Sequence, residues 1–155
     1  MGTDPWNLTT EQWSEQLLNE TTLEQAAKDL KTGNALPWTQ ILIDKTSPGE
    51  KILDLGSGRG ENAAALAMQG RDATLVDWSL GNLQFSEALF KTLQKPGRFC
   101  QADITKPLPF GDGEFDLVYS CGVFEYFTKD QIESILREAF RISRREVIKI
   151  GRAHV

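Results

Sequence analysis

Histidine is almost missing from this chain: the single residue, His154, cannot build a histidine-based triad or a zinc site. Cysteine is nearly as scarce. Cys100 and Cys121 both fall in apolar, strand-like runs, which reads as buried reduced thiols and not as a disulfide or metal site. No metal is expected. Long apolar runs are lacking too, since nothing approaches the roughly 20 residues of a membrane-spanning helix, and no signal-peptide core is seen. A cytoplasmic protein with no membrane partner is expected. Positive charge is in deficit: 17 Lys and Arg stand against 22 Asp and Glu, for a net charge of −5. Nucleic-acid binders usually carry a basic face, so no nucleic-acid partner is expected. Arg141, Arg144 and Arg145 form a local basic patch that reads as cations at a helix end offsetting its dipole.

What is present is ordinary globular composition, 40% hydrophobic and 25% charged, in 155 residues, enough for one domain with a core. A helical leader over 1–36 opens the chain. Thr9-Thr10-Glu11-Gln12 has capping-box spacing and starts a helix to about Asn19. Thr21-Thr22-Leu23-Glu24 repeats the device for a second helix, closed near Gly33. Pro37 suits the first turn of a third, which Ser47-Pro48-Gly49 breaks. Strands and helices then alternate. Strands are expected at 51–55, 73–76, 98–102, 115–120 and 146–150, with helices at 61–69, 80–93 and from Thr128 to about Ile142. That alternation predicts a Rossmann-like, doubly wound parallel sheet, an α/β fold with five strands. Right-handed crossovers place every strand's C-terminal end on one edge, where ligands bind.

The chemistry-bearing residues fall at those ends. After the first strand come Gly56, Ser57, Gly58 and Gly60, preceded by Asp54. Alternate glycines let the backbone turn tightly and approach a ligand, and the next helix points free amides into the same crevice. The alternative is a purely structural strand-to-helix turn. A dinucleotide fingerprint would need glycine at position 61, but Glu61 stands there, and a carboxylate would repel a pyrophosphate. S-adenosylmethionine has an ammonium, a carboxylate and a sulfonium, and no phosphate. Asp77 closes the second strand, where an acid can accept from both ribose hydroxyls. Trp78 either lies against adenine or packs on the sheet edge. Asp103 is placed to accept from the adenine amino group, with Ile104 against the ring; otherwise it caps a loop turn.

These residues sit in four ordered stretches, ILDLGSGRG (52–60), LVDWS (75–79), QADITKPLPFGDGEFDLVYSCGVFEYF (101–127) and REVIKI (145–150). From about Pro37 to Ile150 the chain resembles the class I S-adenosylmethionine-dependent methyltransferases, especially small-molecule-type domains of the ubiquinone-biosynthesis-like group. The resemblance implies that Asp54 helps hold the methionyl ammonium, often through water. It also implies that the glycine loop approaches the methionyl part, that Asp77 binds ribose, and that Asp103 binds adenine. The backbone around Ser120 and Cys121 would lie near the methionyl group. The expected cofactor is S-adenosylmethionine and the expected partner a small-molecule methyl acceptor. Many family members have histidine where Tyr126 stands, so a histidine-based role is excluded there. The family sheet usually adds two further strands after the fifth, which this sequence does not supply, so the domain is expected to be incomplete.

Methyl transfer needs positioning and water exclusion more than acid–base help. Glu125 and Tyr126 are the candidate catalytic residues for an acceptor that needs a base; alternatively Glu125 caps locally and Tyr126 lines the pocket. Three functions compete: a small-molecule methyltransferase, a module that binds S-adenosylmethionine or S-adenosylhomocysteine without turnover, and a nucleotide-dependent oxidoreductase, which Glu61 disfavours. The chain as it stands is expected not to methylate an acceptor. Residues 151–155 are expected to be non-native, because Ile150 to Val155 is the reading of ATC-GGA-AGA-GCA-CAC-GTC, a string inside a common short-read sequencing adapter.

Overall fold

In the computed structural model, residue 12 and residues 22–33 and 37–151 are described. The expected Thr9–Asn19 helix, residue 12 excepted, and residues 152–155 lie outside them. Five strands form one sheet, β1 (Lys51–Leu55), β2 (Asp72–Asp77), β3 (Arg98–Gln101), β4 (Phe115–Cys121) and β5 (Ser143–Ile150), in the order β3-β2-β1-β4-β5. Every pairing is parallel. The chain leaves β1 toward β2 on one side and returns to β4 on the other, so the strand order reverses between β1 and β4.

The central strands carry apolar residues on both faces because helices cover both. Ile52, Leu75, Leu117 and Tyr119 join one buried cluster with α1 (Leu23–Lys31), α2 (Pro37–Asp44), α3 (Glu61–Met68) and α4 (Leu80–Thr92). Leu53, Leu55, Val76 and Val118 join the other, with Ile135, Ala139 and Ile142 of α5 (Lys129–Ile142). The run of alanines in α3 has a packing reason: Ala63, Ala64 and Ala67 are all buried, and small side chains let this helix lie close on the sheet. Ala26 and Ala27 of α1 enter the same cluster, so the described part of the leader packs as core.

Helix boundaries follow local chemistry. Thr128 caps α5 with the expected box: its Oγ1 accepts from Gln131 N, and Gln131 Oε1 accepts from Thr128 N. In α1 the cap is Thr22, accepting from Gln25 N at 3.2 Å, and not the Thr21–Glu24 spacing read from sequence. β5 begins at Ser143, three residues before the expected position 146, directly after Ile142 with no intervening loop. Phe115 pairs with Ser143 through an irregularity in the β4–β5 register, so polar Ser143, Arg144 and Arg145 are drawn into the strand. The arginine patch is also more than a solvated helix end. Arg141 binds Asp112, Glu138 and the Phe110 and Leu108 carbonyls, Arg144 binds Asp116, and Arg145 binds Glu50. These residues pin the loop before β4 and tie the start of β5 to the starts of β4 and β1.

Candidate active site

Leu55 ends β1 beside Val76, and the chain then turns at once. Gly56 N and Ser57 N both donate to Val76 O, at 2.8 and 3.0 Å, and Gly60 N closes the turn on Ser57 O. Gly56 and Gly58 both have positive φ, and a Cβ on Gly56 would meet Val123 at 2.7 Å. Glycine is required there by conformation and by space. Gly60 serves a different end. Its φ is +81°, and a Cβ would meet Ser86 Oγ at 2.6 Å and Leu75 Cδ2 at 2.7 Å, so it allows α3 to pack against α4 and β2.

The turn opens onto a cavity of about 480 Å³ at the C-terminal ends of the strands. Nine residues singled out from the sequence line it: Gly56, Ser57, Gly58, Asp77, Trp78, Asp103, Ile104, Cys121 and Tyr126. Asp54, Gly60, Ser120 and Glu125 do not. Asp54 and Ser120 are buried in the sheet below it, Gly60 packs helices, and Glu125 is exposed outside. Sequence reading had passed over Asn82, Ala102, Thr105, Gly122, Val123, Phe127 and Gln131. Val123 and Phe127 lie within the GVFEYF run; Asn82 offered one signal, a polar residue at the third position after the Ser79 cap.

Asp77 is the electrostatic centre of the lining. Oδ2 accepts from Gly58 N at 2.8 Å and Oδ1 from Ser79 N at 2.9 Å, with further bonds from the Asn82 side chain and Trp78 backbone. Burial pushes its carboxyl up from the usual range, and those donors hold it back. Asp103 bends its own loop, with Oδ1 accepting from Thr105 N and Oγ1, while remaining exposed on the cavity wall. The turn-capping and wall-lining roles coexist in it. Beneath the glycine loop, Tyr119 donates its hydroxyl to Asp54 Oδ2 at 2.8 Å. Burial pushes Asp54 up to about 7, the Tyr119 bond opposes that, and the charge of Asp77 adds to it. Burial, with Asp54 nearby, pushes the Cys121 thiol up to about 12, so it is a protonated wall group.

One expectation changes here. Glu61 is paired with Arg59, whose guanidinium also lies 5.4 Å from the Phe85 ring centroid, and Glu61 does not line the cavity. Its charge is compensated and directed elsewhere, so it would not repel a pyrophosphate. The glycine spacing, not this carboxylate, separates the loop from the dinucleotide fingerprint.

Residues 52–146 match the model of a family described as a methyltransferase domain. The chain belongs to this family. It is a class I S-adenosylmethionine-dependent methyltransferase domain, with the five-stranded parallel sheet described above. The chain is 34% identical over 107 residues to an uncharacterized methyltransferase of Synechocystis sp., covering 69% of this chain and 47% of that protein. It is 38% identical over 93 residues to the demethylmenaquinone methyltransferase of Clavibacter sepedonicus, covering 57% of this chain and 36% of that protein. Among solved structures, a TehB-like S-adenosylmethionine-dependent methyltransferase from Corynebacterium glutamicum superposes with a TM-score of 0.66 at 25% identity, covering 90% of this chain and 71% of that one. The chain spans about half the length, or less, of the curated relatives it matches. Among the described residues no helix is long and apolar enough to cross a membrane, and no His, Cys, Asp and Glu cluster suits a metal ion.

The lining fits the family's cofactor on its own chemistry. Two lining residues, Ser57 and Asn82, each hold a buried oxygen without a hydrogen-bond partner, which is unusual unless a ligand completes it. An acid at the end of β2, an apolar wall at Ile104, and a glycine-lined floor suit a ribose, an adenine and a methionyl chain in turn.

Proposed function

We propose that this cavity binds S-adenosylmethionine and that the protein transfers its methyl group to a small-molecule acceptor. The observation that carries the reading is Asp77: a buried acid at the end of β2, on the cavity wall, held by the amide of Gly58 in the glycine loop. In this reading Asp77 takes the ribose hydroxyls, and Asp103 with Ile104 takes the adenine. Trp78 supplies an aromatic face, and Gly56 to Gly58 border the methionyl chain. The walls formed by Gly122, Val123, Tyr126 and Phe127 face the acceptor side.

When bound, S-adenosylmethionine would supply an activated methyl on a sulfonium, which the acceptor atom takes in line as the C–S bond breaks and S-adenosylhomocysteine leaves. The chain's task is then to orient and to exclude water. Val123 and Phe127 provide apolar wall, and Tyr126 brings a hydroxyl to it that can hold or pass a proton. Glu125 is a weaker base candidate, because it stands outside the lining. That placement favours a second reading, in which this stretch binds the cofactor and the acceptor site is built elsewhere in the protein. The printed name of the Clavibacter relative makes a quinone-like aromatic one acceptor to test.

Titration calorimetry decides the cofactor. S-adenosylhomocysteine and S-adenosylmethionine are expected to bind with one-site stoichiometry, and a nicotinamide dinucleotide is expected to give no heat. Binding of the dinucleotide alone would overturn the reading.

A further inference from the structure

Asp54 and Tyr119 are register partners on the adjacent strands β1 and β4. Cys121, two residues on from Tyr119 on the same face of β4, lines the cavity, and Gly56, the first residue of the turn after β1 and two residues on from Asp54, lines it too. The buried pair therefore sits one pleat below the cavity floor on two strands at once, about 6–7 Å down the strand direction. Both residues are almost fully buried, and the hydroxyl–carboxylate bond is 2.8 Å. A phenylalanine would fill the space of Tyr119 nearly as well, so packing alone does not call for the hydroxyl.

We propose that Tyr119 is a positioning residue for cofactor binding: its hydroxyl holds Asp54 as a carboxylate under the glycine loop, where its charge attracts the cofactor's methionyl ammonium from beneath the cavity floor. This rests on the S-adenosylmethionine reading above. A buried carboxylate without a donor takes up a proton and loses the charge that a cation needs. Tyr119 is the hydroxyl donor bonded to Asp54. The titratable groups acting on Asp54 are Tyr119 and Cys121 from β4 and Asp77 from β2. Over this face, α3 and α4 contribute buried alanines, leucines and phenylalanines. Tyr119 and Cys121 are both held protonated by burial, so the Asp77 charge opposes ionisation of Asp54 and the Tyr119 bond favours it.

The consequence is a pH-dependent affinity. S-adenosylhomocysteine carries the same ammonium, and its affinity is expected to rise with pH through the range near 7 to which Asp54 is pushed, then level off. Calorimetric titrations of S-adenosylhomocysteine from pH 5.5 to 8 on wild type, Tyr119→Phe, Asp54→Asn and the double variant test this, with circular dichroism melts to verify folding. Tyr119→Phe is expected to move the midpoint up by about one unit and to weaken binding about fivefold at pH 7, with about twofold loss at pH 8. Asp54→Asn is expected to remove the step, and adding Tyr119→Phe to it is expected to change nothing more. A Tyr119→Phe profile with an unmoved midpoint would overturn the role. So would a step that survives in Asp54→Asn, a comparison that does not need Tyr119→Phe to fold. Should wild type bind neither S-adenosylhomocysteine nor S-adenosylmethionine at any pH, the cofactor reading itself fails, and this inference with it.

Discussion

Ionised Asp54 costs the ligand-free protein stability. Its folded-state carboxyl is pushed up to about 7, above the ordinary value near 4, chiefly by burial. A raised acid favours folding fully below the unfolded value, and that contribution is lost as pH climbs through the folded one. The window for Asp54 is therefore pH 4 to 7, and the ligand-free protein is expected to lose on the order of 2–4 kcal/mol across it. Asp77 is raised too and acts with the same sign. Asp116 and Glu138 are lowered by backbone and arginine partners, so their contribution is gained at more acid pH and is already in place by pH 5. Asp54→Asn should flatten the profile and leave the ligand-free protein more stable than wild type at pH 8, as urea unfolding at several pH values will show. Asp77 behaves differently on mutation. Asp77→Ala is expected to weaken S-adenosylhomocysteine binding by about 1.5–3 kcal/mol, measured by calorimetry. It should also lower the melting temperature, because Gly58 N and Ser79 N lose their acceptor. That carboxylate is buried.

At the scale of elements, the glycine turn divides its labour. Gly58 faces the cavity with open space around a Cβ, whereas Gly60 faces α4 with none. Gly58→Ala should cost about 1–2 kcal/mol of stability, from the left-handed backbone alone. Gly60→Ala should cost about 2–4 kcal/mol, because overpacking adds to the same backbone penalty. Chemical denaturation of the two variants checks the ranking, and equal costs would mean that α3 and α4 yield freely. In α5 the box at Thr128 holds the helix start next to Phe127 and Gln131, both lining the cavity. Thr128→Ala is expected to cost about 1 kcal/mol by the same measurement.

For the molecule as a whole, ligand binding and folding are linked by mass action. At a hundredfold excess over its dissociation constant, S-adenosylhomocysteine should stabilise the fold by about 2.7 kcal/mol. For a domain of this size that corresponds to a rise of about 5–11 °C in Tm. A nicotinamide dinucleotide at the same concentration should leave the melt unmoved. The fold carries this coupling because the cavity is bordered by turns from several strands, β1, β2 and β4 among them, which unfold together.

Sequence by itself determined the strand–helix alternation, the order of the elements and the glycine turn. Those features are local: apolar runs, caps and breakers act within a few residues. It also determined nine lining positions, since ligand-facing residues fall where strands end. Tertiary structure alone decided that Asp54 meets Tyr119, because register between β1 and β4 joins residues 65 apart in the chain. It decided that Glu61 turns to Arg59 and away from the cavity, a matter of side-chain direction at a helix start. It decided that Gly60 serves packing, since Ser86 and Leu75 come from other elements. And it decided that β5 begins at Ser143, where pairing with Phe115 overrides the polarity of the residues it recruits.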